Sequence, residues 1–570
     1  MSQIHEVVRR LRSTIRNQLA TLAWLMMALA ITTRPIPASA AVVWTHDDYW
    51  GVNTWQSTNL LAPTTLSLET ADGNVRISWP FISPDAGGIL QTTTNLPPVG
   101  GWTEVTNEAM TSYVEGIRSI SMPANDPQRF FRLVAMQTNW MPVFSFAIFY
   151  DAQLEFTQTA PLTVSGRTHA NGPICMGAAS GNVLRFNDTV TTASSIVVSN
   201  LGGYSGFARP VYAGTPTQRI GTPPLKPSGL TNHHALIEMP PVGESPLSLQ
   251  WQQRYYNKAA VVLLISNSTV TVNVKSLGAA DSTGIVSNYN FSSYSNIYFP
   301  AVASIGAERT NLARRLPFLS LTNRFYDYRE SKWVMPTEIN MAVLKTWLVT
   351  NSPVISKFPS GSGLYPTVMF VGDFRTVTNL HAVRLKDASI IPTNGPGNAV
   401  AQGFTLATIN PLYIWGHYNC PFPDDLGTTN TAAAFPASLV SDAVTILSTN
   451  WTDSVYGNGS TALSARTAAD ITVNAAIISG VVYTTGTGMG NWSGGVHNQT
   501  RLMENWSGRT LTLNGSLVNL YPSALATNQF KNPGVYYNAP TRKISFNPNF
   551  LDPVKLPPGT PLVISVTPAQ

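Results

Sequence analysis

The stretch GFTLATINPLYIWGHY, residues 403–418, contains two short runs in which the side chains alternate in character. In the first run large apolar residues alternate with smaller ones, and in the second Leu412 and Ile414 alternate with two aromatic rings. The pair Asn410-Pro411 predicts a corner between the runs, because the residue before a proline is disfavoured in the helical region. Two strands joined by a corner rather than by a hairpin are typical of one coil of a β-solenoid.

Three later stretches repeat this pattern of paired apolar strands. They are residues 437–447, with Ser441-Asp442 as a corner, residues 471–482, and residues 510–521, with Asn514-Gly515 at the middle. The centres of the four units follow a loose period of roughly 30–40 residues. A period of this size with paired strands predicts stacked coils that bury a common core.

The composition is that of an extracellular β protein. Charged residues make up 11% of the 570 residues, hydrophobic residues 44% and aromatic residues 10%, and Thr, Ser, Asn and Gly are abundant. This apolar content excludes a disordered chain, and the low charge argues against a helical cytosolic enzyme. The length allows about three or four domains.

Residues 1–40 have the features of an export signal. A basic region precedes the largely apolar run Leu19–Ile31, and Ala38-Ser39-Ala40 is a cleavage site of the A-x-A type. An uncleaved membrane anchor is the alternative, but the run is shorter than the ~20 residues that span a bilayer. Five arginines and one glutamate in this segment carry +4 of the formal net charge of +6, which leaves +2 for the mature chain. This small charge argues against nucleic-acid binding, and we expect membrane contact only through the signal peptide before its cleavage.

We expect a mainly β protein in which a small β-sandwich is followed by a split β-solenoid with an α+β insertion. A Pro-rich C-terminal tail is expected to cap one end or to reach a partner. Within the insertion, the sequence predicts a helix from Ser245-Pro246, a hairpin of residues 261–265 and 269–274, and a helix over residues 337–350. A further short helix is predicted within residues 495–508. The expected segments are a signal peptide (1–40), an N-terminal tail (41–62), the sandwich (63–136), the first part of the solenoid (137–230), the insertion (231–382), the second part of the solenoid (383–552) and the C-terminal tail (553–570).

The sandwich segment resembles a known module. Its predicted strands lie in the order ISWP, ILQTTTNL, GWTEVTN and RFFRLV, and Asp72-Gly73 predicts the first hairpin turn. This order is similar to that of a fibronectin-type-III-like module common in exported proteins of environmental Gram-negative bacteria. The resemblance covers about 70 residues and implies a spacer or adhesion module without catalytic chemistry.

Three acidic residues are the candidates for catalysis if the protein is a hydrolase. Asp327 and Glu330 lie in the segment FYDYRESKW, and Asp373 lies in VGDFR. Two carboxyl groups in different environments can act as acid and base. An aspartate and an arginine two residues apart lie on the same side of an extended chain, so ion pairs with Arg329 and Arg375 are the favoured interpretation. We therefore expect these residues to be structural and assign no catalytic residue.

The histidines do not have the spacing of a metal site. His169 lies beside an Asn-Gly turn, where we expect an exposed side chain, and His417 is isolated. The pair His233-His234 has only Glu238 as a further ligand nearby, and His46-Asp47-Asp48 fits a solvated turn. We therefore expect neither a metal nor a cofactor.

Cys175 and Cys420 are the only cysteines of the chain. After export they can form a disulfide if both lie on the same wall of the solenoid. Two buried free thiols are the alternative, and the sequence favours neither. Since two cysteines are too few for a disulfide scaffold, stability has to come from burial.

A second resemblance extends over residues 140–521. Its motifs are FYDYRE…TEINMAVLKTWL, NPLYIWGHYN, SLVSDAVTILSTNW, NAAIISGVV and GGVHNQTRLMENWSGRTLTLNGSLVNLY. Together they are similar to a family of large exported bacterial proteins labelled type IV pilus-assembly-like. The resemblance implies a surface or pilus-associated structural role without catalytic residues. The chain departs from a pilin because a conventional signal peptide replaces the prepilin leader and long apolar helix, which favours a secreted or cell-surface protein.

These observations predict an exported, non-enzymatic structural or adhesive protein, outside the cell or on its surface, with the periplasm as the remaining alternative. The expected partners are cell-surface or pilus components or a polysaccharide, and the open ends of parallel coils allow self-association. The alternative function is a secreted carbohydrate-active enzyme or carbohydrate-binding protein, since aromatic side chains on a solenoid wall can stack on sugars. An enzyme requires carboxylates that converge in a groove, whereas a structural protein has them locked to arginines.

Overall fold

The structure is a computed structural model in which the described chain divides into two compact units. Residues 143–561 form one unit, and the residues up to Pro142 together with those from Leu562 form the other. The signal peptide predicted for residues 1–40 lies outside the described residues. These are residues 42–568 with gaps at 48–51, 58–65, 72–73, 81–88, 95–101, 106–109, 115–116, 124–128, 135, 200, 202–205, 214–217, 247, 268, 281–285, 291–296, 299–315, 352–353, 356–357, 359–364, 377–378, 394–402, 489 and 532–533.

Strands dominate the described residues, so the prediction of a mainly β protein is confirmed. Strands β1–β10 are Val42–Asp47, Val52–Ser57, Ser67–Ala71, Asn74–Pro80, Ile89–Thr93, Thr103–Glu104, Met110–Val114, Ile117–Pro123, Phe130–Val134 and Met136–Pro142. Strands β11–β22 are Ile148–Tyr150, Leu154–Thr159, Leu162–Ser165, Thr168–Ala170, Ile174–Ala179, Leu184–Phe186, Val190–Thr192, Ile196–Val197, Phe207–Ala208, Val211–Tyr212, Gln218–Ile220 and Lys226–Pro227. Strands β23–β40 are Val261–Ile265, Thr269–Ala280, Val286–Asn290, Ile297–Tyr298, Leu319–Ser320, Phe325–Asp327, Lys332–Asn340, Val368–Asp373, Leu380–Lys386, Phe404–Thr408, Leu412–Trp415, Ala437–Ser441, Val444–Leu447, Ile471–Ser479, Thr500–Leu502, Thr510–Asn519, Thr541–Phe546 and Leu562–Pro568.

Helices are few and short in the described part of the chain. The α-helices α1–α3 are Leu249–Gln253, Tyr255–Lys258 and Met341–Thr350. No helix in the described ranges is long and apolar enough to cross a membrane. The 3-10 helices are Val143–Ser145, His233–Ile237, Pro423–Asp425, Leu463–Ala465, Val496–Asn498, Pro548–Leu551 and Pro553–Lys555.

Two antiparallel sheets form the sandwich segment. One sheet has the strand order β3-β4-β8-β7 and the other has the order β6-β5-β9. Ile77, Ile120 and Met122 of the first sheet share one buried core with Leu90 of the second. This shared core is the packing of a small β-sandwich. Strands β3 and β4 pair on either side of the predicted turn Asp72-Gly73, which itself lies outside the described residues.

The same unit has a third sheet, which takes strands from both ends of the described chain. β1 pairs with β2, β2 also pairs with β10, and β10 pairs with β40, all antiparallel. The N-terminal tail predicted for residues 41–62 therefore contributes two strands. The tail predicted for residues 553–570 contributes β40, which runs along the whole of β10 from Pro142 to Met136.

The unit of residues 143–561 is a stack of parallel strands in three ladders. The long ladder runs β23, β30, β32, β34, β36 and β38. A second ladder runs β29, β31, β33, β35 and β37, and a short third ladder runs β12, β15 and β18. Side chains from all three ladders meet in one buried core. Coils that stack in parallel around a common core define a β-solenoid.

The two predicted parts of the solenoid join in the middle of the long ladder. On the side away from β36, β38 pairs with β39 through residues 510–515 and with β11 through residues 517–519. β13 and β14 follow, then β16 and β17, then β20 and β21. The chain therefore enters the ladder at its middle, builds outward to β21, and returns from the opposite end, beginning at β23.

The segment 231–382, predicted as an α+β insertion, also supplies rungs of the solenoid. β23 and β30 belong to the long ladder, and β29 and β31 belong to the second. The predicted hairpin forms as the antiparallel pair of β23 and β24 at the end of the long ladder. The boundary expected between insertion and solenoid is therefore not visible in the strand pairing.

The two predicted helices of this segment begin later than expected. α1 begins at Leu249 because the hydroxyl of Ser248 accepts the backbone N–H of Trp251 and caps the helix. α3 begins at Met341 because residues 332–340 extend β29 along the second ladder instead of turning into helix at Thr337.

The stretch 403–418 forms the predicted strands, β32 and β33, around a corner. The side-chain amide of Asn410 fixes the corner, because it accepts the backbone N–H of Asp373 on the neighbouring rung and donates to the carbonyl of the same residue. Tyr413 lies on the outer face, since Leu412 and Ile414 on either side of it enter the core, but it is buried because Phe325 and Trp451 pack around it. An outward position in this solenoid is therefore not always an exposed one.

The later units agree with their predictions in part. Residues 437–447 form β34 and β35 around the Ser441-Asp442 corner, as predicted. Residues 471–482 and 510–521 contain one continuous strand each, β36 and β38, so a corner inside them is wrong. The helix predicted within residues 495–508 is only a single 3-10 turn, Val496–Asn498, because ladder strand β37 follows it.

Two glycines show how closely the rungs approach. At Gly403 an added Cβ would overlap the carbonyl oxygen of Pro436 in the next coil. At Gly515 an added Cβ would overlap the carbonyl oxygen of Ala475 on β36. Glycine is therefore required at position 515 because another backbone approaches the strand closely there. The pair Asn514-Gly515 looks like a turn in the sequence but lies inside a continuous strand.

Candidate functional site

Asp327 and Glu330 are buried at the turn of the β28–β29 hairpin. One carboxylate oxygen of Asp327 accepts the backbone N–H groups of Arg329 and Glu330, and the other accepts the hydroxyl of Tyr413 at 2.6 Å. Glu330 forms an ion pair with Arg501, whose Nη1 lies 2.6 Å from Oε1. Arg329 thus holds Asp327 through its backbone rather than through the predicted guanidinium contact.

Asp373, at the end of β30, forms the predicted ion pair with Arg375. Nε and Nη2 of Arg375 lie 2.9 and 2.6 Å from the carboxylate, and the hydroxyl of Thr337 donates to it at 2.8 Å. His381 Nδ1 lies 3.8 Å from the same carboxylate. Burial lowers the pKa of His381, and the negative charge of Asp373 opposes this effect.

The three candidate acids do not form an acid–base pair open to a substrate. Asp327, Glu330 and Asp373 are 2%, 2% and 4% exposed, and each is held by partners within the fold. A glycosidase requires carboxyl groups that face the bound sugar. The geometry matches the structural interpretation of these residues.

A charged cluster that the sequence analysis missed lies on the second ladder. Arg384 is fully buried, and its guanidinium forms ion pairs with Glu338 and Asp453. The guanidinium also lies 5.0 and 4.9 Å from the ring centroids of Phe325 and Trp415. We call this outer face of the second ladder, with the segment around Asp453 that lies over it, the covered wall.

Glu504 is a second buried acid in this part of the solenoid. Its carboxylate accepts the backbone N–H and the hydroxyl of Ser448. Burial raises the pKa of Glu504 to about 7, while the hydrogen bonds from Ser448 and the charge of Arg466 act in the opposite direction.

His169 is buried, so the prediction of an exposed side chain is wrong. The ladder places it on β14, stacked on Phe149 with 5.5 Å between the ring centroids. Its Nδ1 lies 2.8 Å from the hydroxyl of Thr191 and its Nε2 lies 3.0 Å from the side-chain oxygen of Asn171. Burial lowers the pKa of His169 to about 4, so the ring is neutral and its role is structural.

His233 and His234 make separate contacts with acids instead of a shared metal site. His233 Nδ1 lies 2.9 Å from Asp151, and His234 Nδ1 lies 2.6 Å from Glu238. His234 Nε2 lies 3.7 Å from the buried carboxylate of Asp442. The contact with Asp151 raises the pKa of His233, and the carboxylates of Asp442 and Glu238 raise the pKa of His234.

The remaining candidates also have structural environments. His417 accepts the backbone N–H of Thr472 at Nδ1. Cys175 and Cys420 are buried free thiols, and burial raises the pKa of Cys175 to about 11, which disfavours the reactive thiolate. In the group His46-Asp47-Asp48 the last residue lies outside the described ranges. Within those ranges no group of three or more His, Cys, Asp or Glu residues could hold a metal ion.

A groove of about 450 Å³ lies on the outer face of the long ladder at β13, β16 and β39. Side chains in these strands alternate between the core and the outside, and Thr163, Arg185 and Lys543 are among the exposed ones. In the register of the ladder Thr163 lies opposite both cations. Ser165 and Ser545 form a second row beside them. We call this site the basic groove.

The cations of the basic groove are not balanced by acids in its lining. Arg185 and Lys543 are exposed, while Arg542 is buried and donates to the hydroxyl of Tyr537. Among the described residues that line the groove there is no aspartate or glutamate. The ammonium of Lys543 donates to the carbonyl of Gly427 at 3.1 Å. Exposed cations beside hydroxyl groups can bind an anion through charge-assisted hydrogen bonds.

Arg185 and Lys543 belong to none of the sequence motifs described above. The alternation in residues 184–186 and 541–545 is enough to direct both side chains outward. Both residues lie next to the same strand, β13, because the two parts of the solenoid join in the middle of the long ladder. No local sequence pattern reveals this joint.

Comparisons of the chain with protein-family models, with curated proteins and with solved structures gave no match.

Proposed function

We propose that this protein is an exported, non-enzymatic structural protein of the adhesion type, acting at the cell surface or in association with pili. The observation that carries the proposal is the state of Asp327, Glu330 and Asp373, which are buried and engaged by partners of the fold. Side chains used in this way stabilise a scaffold and are not free to transfer protons to a substrate.

The parallel ladders support a scaffold role in a second way. Asn474 and Asn514 lie opposite each other on β36 and β38, and the amide of Asn514 donates to the side-chain oxygen of Asn474 at 2.9 Å. The side-chain amide of Asn474 in turn donates to the backbone carbonyl of Asn419, and the side-chain amide of Asn419 donates to the backbone carbonyl of Asn474. Such buried amide contacts between rungs fix the register of the coils. A rigid stack of this kind presents an extended outer surface on which partners can bind.

The location of the protein is the decisive test. Intact bacteria that produce the full chain are treated with protease and labelled with an antibody against it, and the medium, periplasm, cytoplasm and sheared appendages are analysed separately. We expect the chain in the medium, on the surface or in the sheared fraction. A chain confined to the cytoplasm contradicts the proposal.

The alternative of a carbohydrate-active enzyme is tested on the purified protein. A panel of polysaccharides is incubated with the full chain, and new reducing ends are measured. We expect none above the blank. Release of reducing ends by the wild type that is lost in Asp373→Asn or Glu330→Gln contradicts the non-enzymatic role.

A further inference from the structure

The two exposed cations of the basic groove stand at a fixed separation. Arg185 and Lys543 lie on the strands to either side of Thr163 and in register with it. Because neighbouring strands are about 4.8 Å apart, the backbones of the two cationic residues are about 10 Å apart along the ladder. This spacing suits an extended ligand with repeated anionic groups. Since the strands are fixed by the ladder, binding does not require a loop to become ordered.

The side chains that line the groove distinguish between classes of anionic ligand. None of the described lining residues is aromatic. Single-stranded nucleic acids and neutral sugars are commonly bound by stacking on aromatic rings, so the groove suits neither. The hydroxyl groups of Thr163, Ser165 and Ser545 can both donate and accept hydrogen bonds, as the hydroxyl groups of a sugar do.

We propose that the basic groove binds a linear acidic polysaccharide. Arg185 and Lys543 contact successive anionic groups of the polymer, and the serine and threonine hydroxyls contact its sugar hydroxyls. Buried Arg542 adds positive charge beneath the same surface. This assignment rests on the proposed adhesive function and specifies the class of its ligand.

The test measures binding to the purified full chain. Polygalacturonate supplies carboxylates, dextran sulfate supplies sulfates, and neutral dextran supplies neither. We expect at least one of the two acidic polymers to bind, neutral dextran not to bind, and the affinity to fall as salt is raised. The double variant Arg185→Gln/Lys543→Gln should bind at least about thirtyfold more weakly, because two charge-assisted contacts are lost. The stronger acidic polymer identifies the anionic group that the groove prefers.

A second double variant controls for charge alone. Lys332→Gln/Lys345→Gln removes two cations from other parts of the solenoid surface and should bind like the wild type. Three outcomes would each overturn the proposal. They are equal weakening by both double variants, failure of both acidic polymers to bind, and tighter binding of single-stranded DNA than of the acidic polymers. Unfolding midpoints of both variants verify that the fold is intact. Because this assay uses purified protein, its outcome is independent of the localisation experiment that tests the proposed function.

Discussion

The covered wall and the basic groove use the same position of the solenoid in opposite ways. Arg384 and Arg185 both point outward from a ladder strand whose neighbouring side chains enter the core. Arg384 is fully buried and paired with Glu338 and Asp453, whereas Arg185 is exposed beside Lys543. The difference lies in what covers each strand. An outward charge that is covered must be paired, because an unpaired buried charge costs several kcal/mol, while an uncovered charge can serve a ligand.

The largest effect is expected at Arg384. Arg384→Ala leaves Glu338 buried without its main partner, so we expect the free energy of unfolding to fall by about 3–5 kcal/mol. The matched exchange Arg185→Ala should change it by no more than about 0.5 kcal/mol. Chemical denaturation followed by tryptophan fluorescence measures both. Similar losses in the two variants would remove the distinction between the two regions.

A smaller loss in the free energy of unfolding is expected at close contacts between neighbouring rungs. Both regions are built from rungs stacked in this way. Gly403→Ala forces a Cβ into the carbonyl of Pro436, and overpacking of this kind lowers the free energy of unfolding by about 1–3 kcal/mol. Gly486→Ala is the control, because the nearest side-chain atoms lie 3.9 Å from the added Cβ. Thermal unfolding of the two variants gives the comparison. A wild-type melting temperature for Gly403→Ala would mean that the coils can separate freely.

The two regions should also differ in their response to pH. Glu504 is protonated more readily in the folded state, with a pKa of about 7. Its contribution to stability is therefore fully present below the unfolded pKa of about 4.3 and is lost as the pH rises to 7. The slope is at most about 1.4 kcal/mol per pH unit. The described residues that line the basic groove include no aspartate, glutamate or histidine.

Thermal unfolding between pH 4.5 and pH 8 tests this expectation. Glu504→Gln should flatten the pH dependence relative to the wild type, while Arg185→Gln should leave it unchanged. A curve of unchanged steepness in Glu504→Gln would assign the pH dependence to other groups, of which His233 and His234 have raised pKa values.

The smallest effect on the free energy of unfolding is expected when an acidic residue is introduced into the basic groove. Thr163→Glu places a carboxylate between Arg185 and Lys543, as Glu338 and Asp453 flank Arg384 in the covered wall. We expect the free energy of unfolding to rise by about 0.2–1 kcal/mol through cross-strand ion pairs. Binding of the acidic polysaccharide should be lost at the same time. Thr163→Gln has similar size and no charge and removes the same hydroxyl, so binding should weaken far less in it than in Thr163→Glu. Equal loss of binding in both variants would mean that size or the missing hydroxyl, rather than charge, matters.

The local alternation of side chains predicted the coil of residues 403–418 because strand and corner are properties of neighbouring residues. The same reasoning failed at Gly515, where glycine is required by the approach of Ala475 from another rung rather than by a turn. It failed at His169 for a related reason, since Phe149 and Thr191 enclose the ring only after the coils have stacked.

Charged residues were the hardest to interpret from sequence. Asp373 and Arg375 are close in the chain, and their ion pair was predicted. Arg384 depends on Asp453 and Glu338, which are distant in sequence, so its burial could not be predicted from residues 380–386 alone. The basic groove could not be predicted because its strands meet only through the joint between the two parts of the solenoid.

That joint determines the order in which the molecule can be completed. Residues 148–150 pair with residues 517–519, and residues 162–165 pair with residues 542–545. The first coils made by the ribosome therefore lack hydrogen-bond partners along one strand edge until nearly the last coils have been made. Contacts between residues so far apart in sequence form slowly. A chain that stops before β38 leaves unpaired edges on both halves, which favours aggregation of incomplete chains. The strands at the joint are thus fully paired only when the C-terminal coils are present.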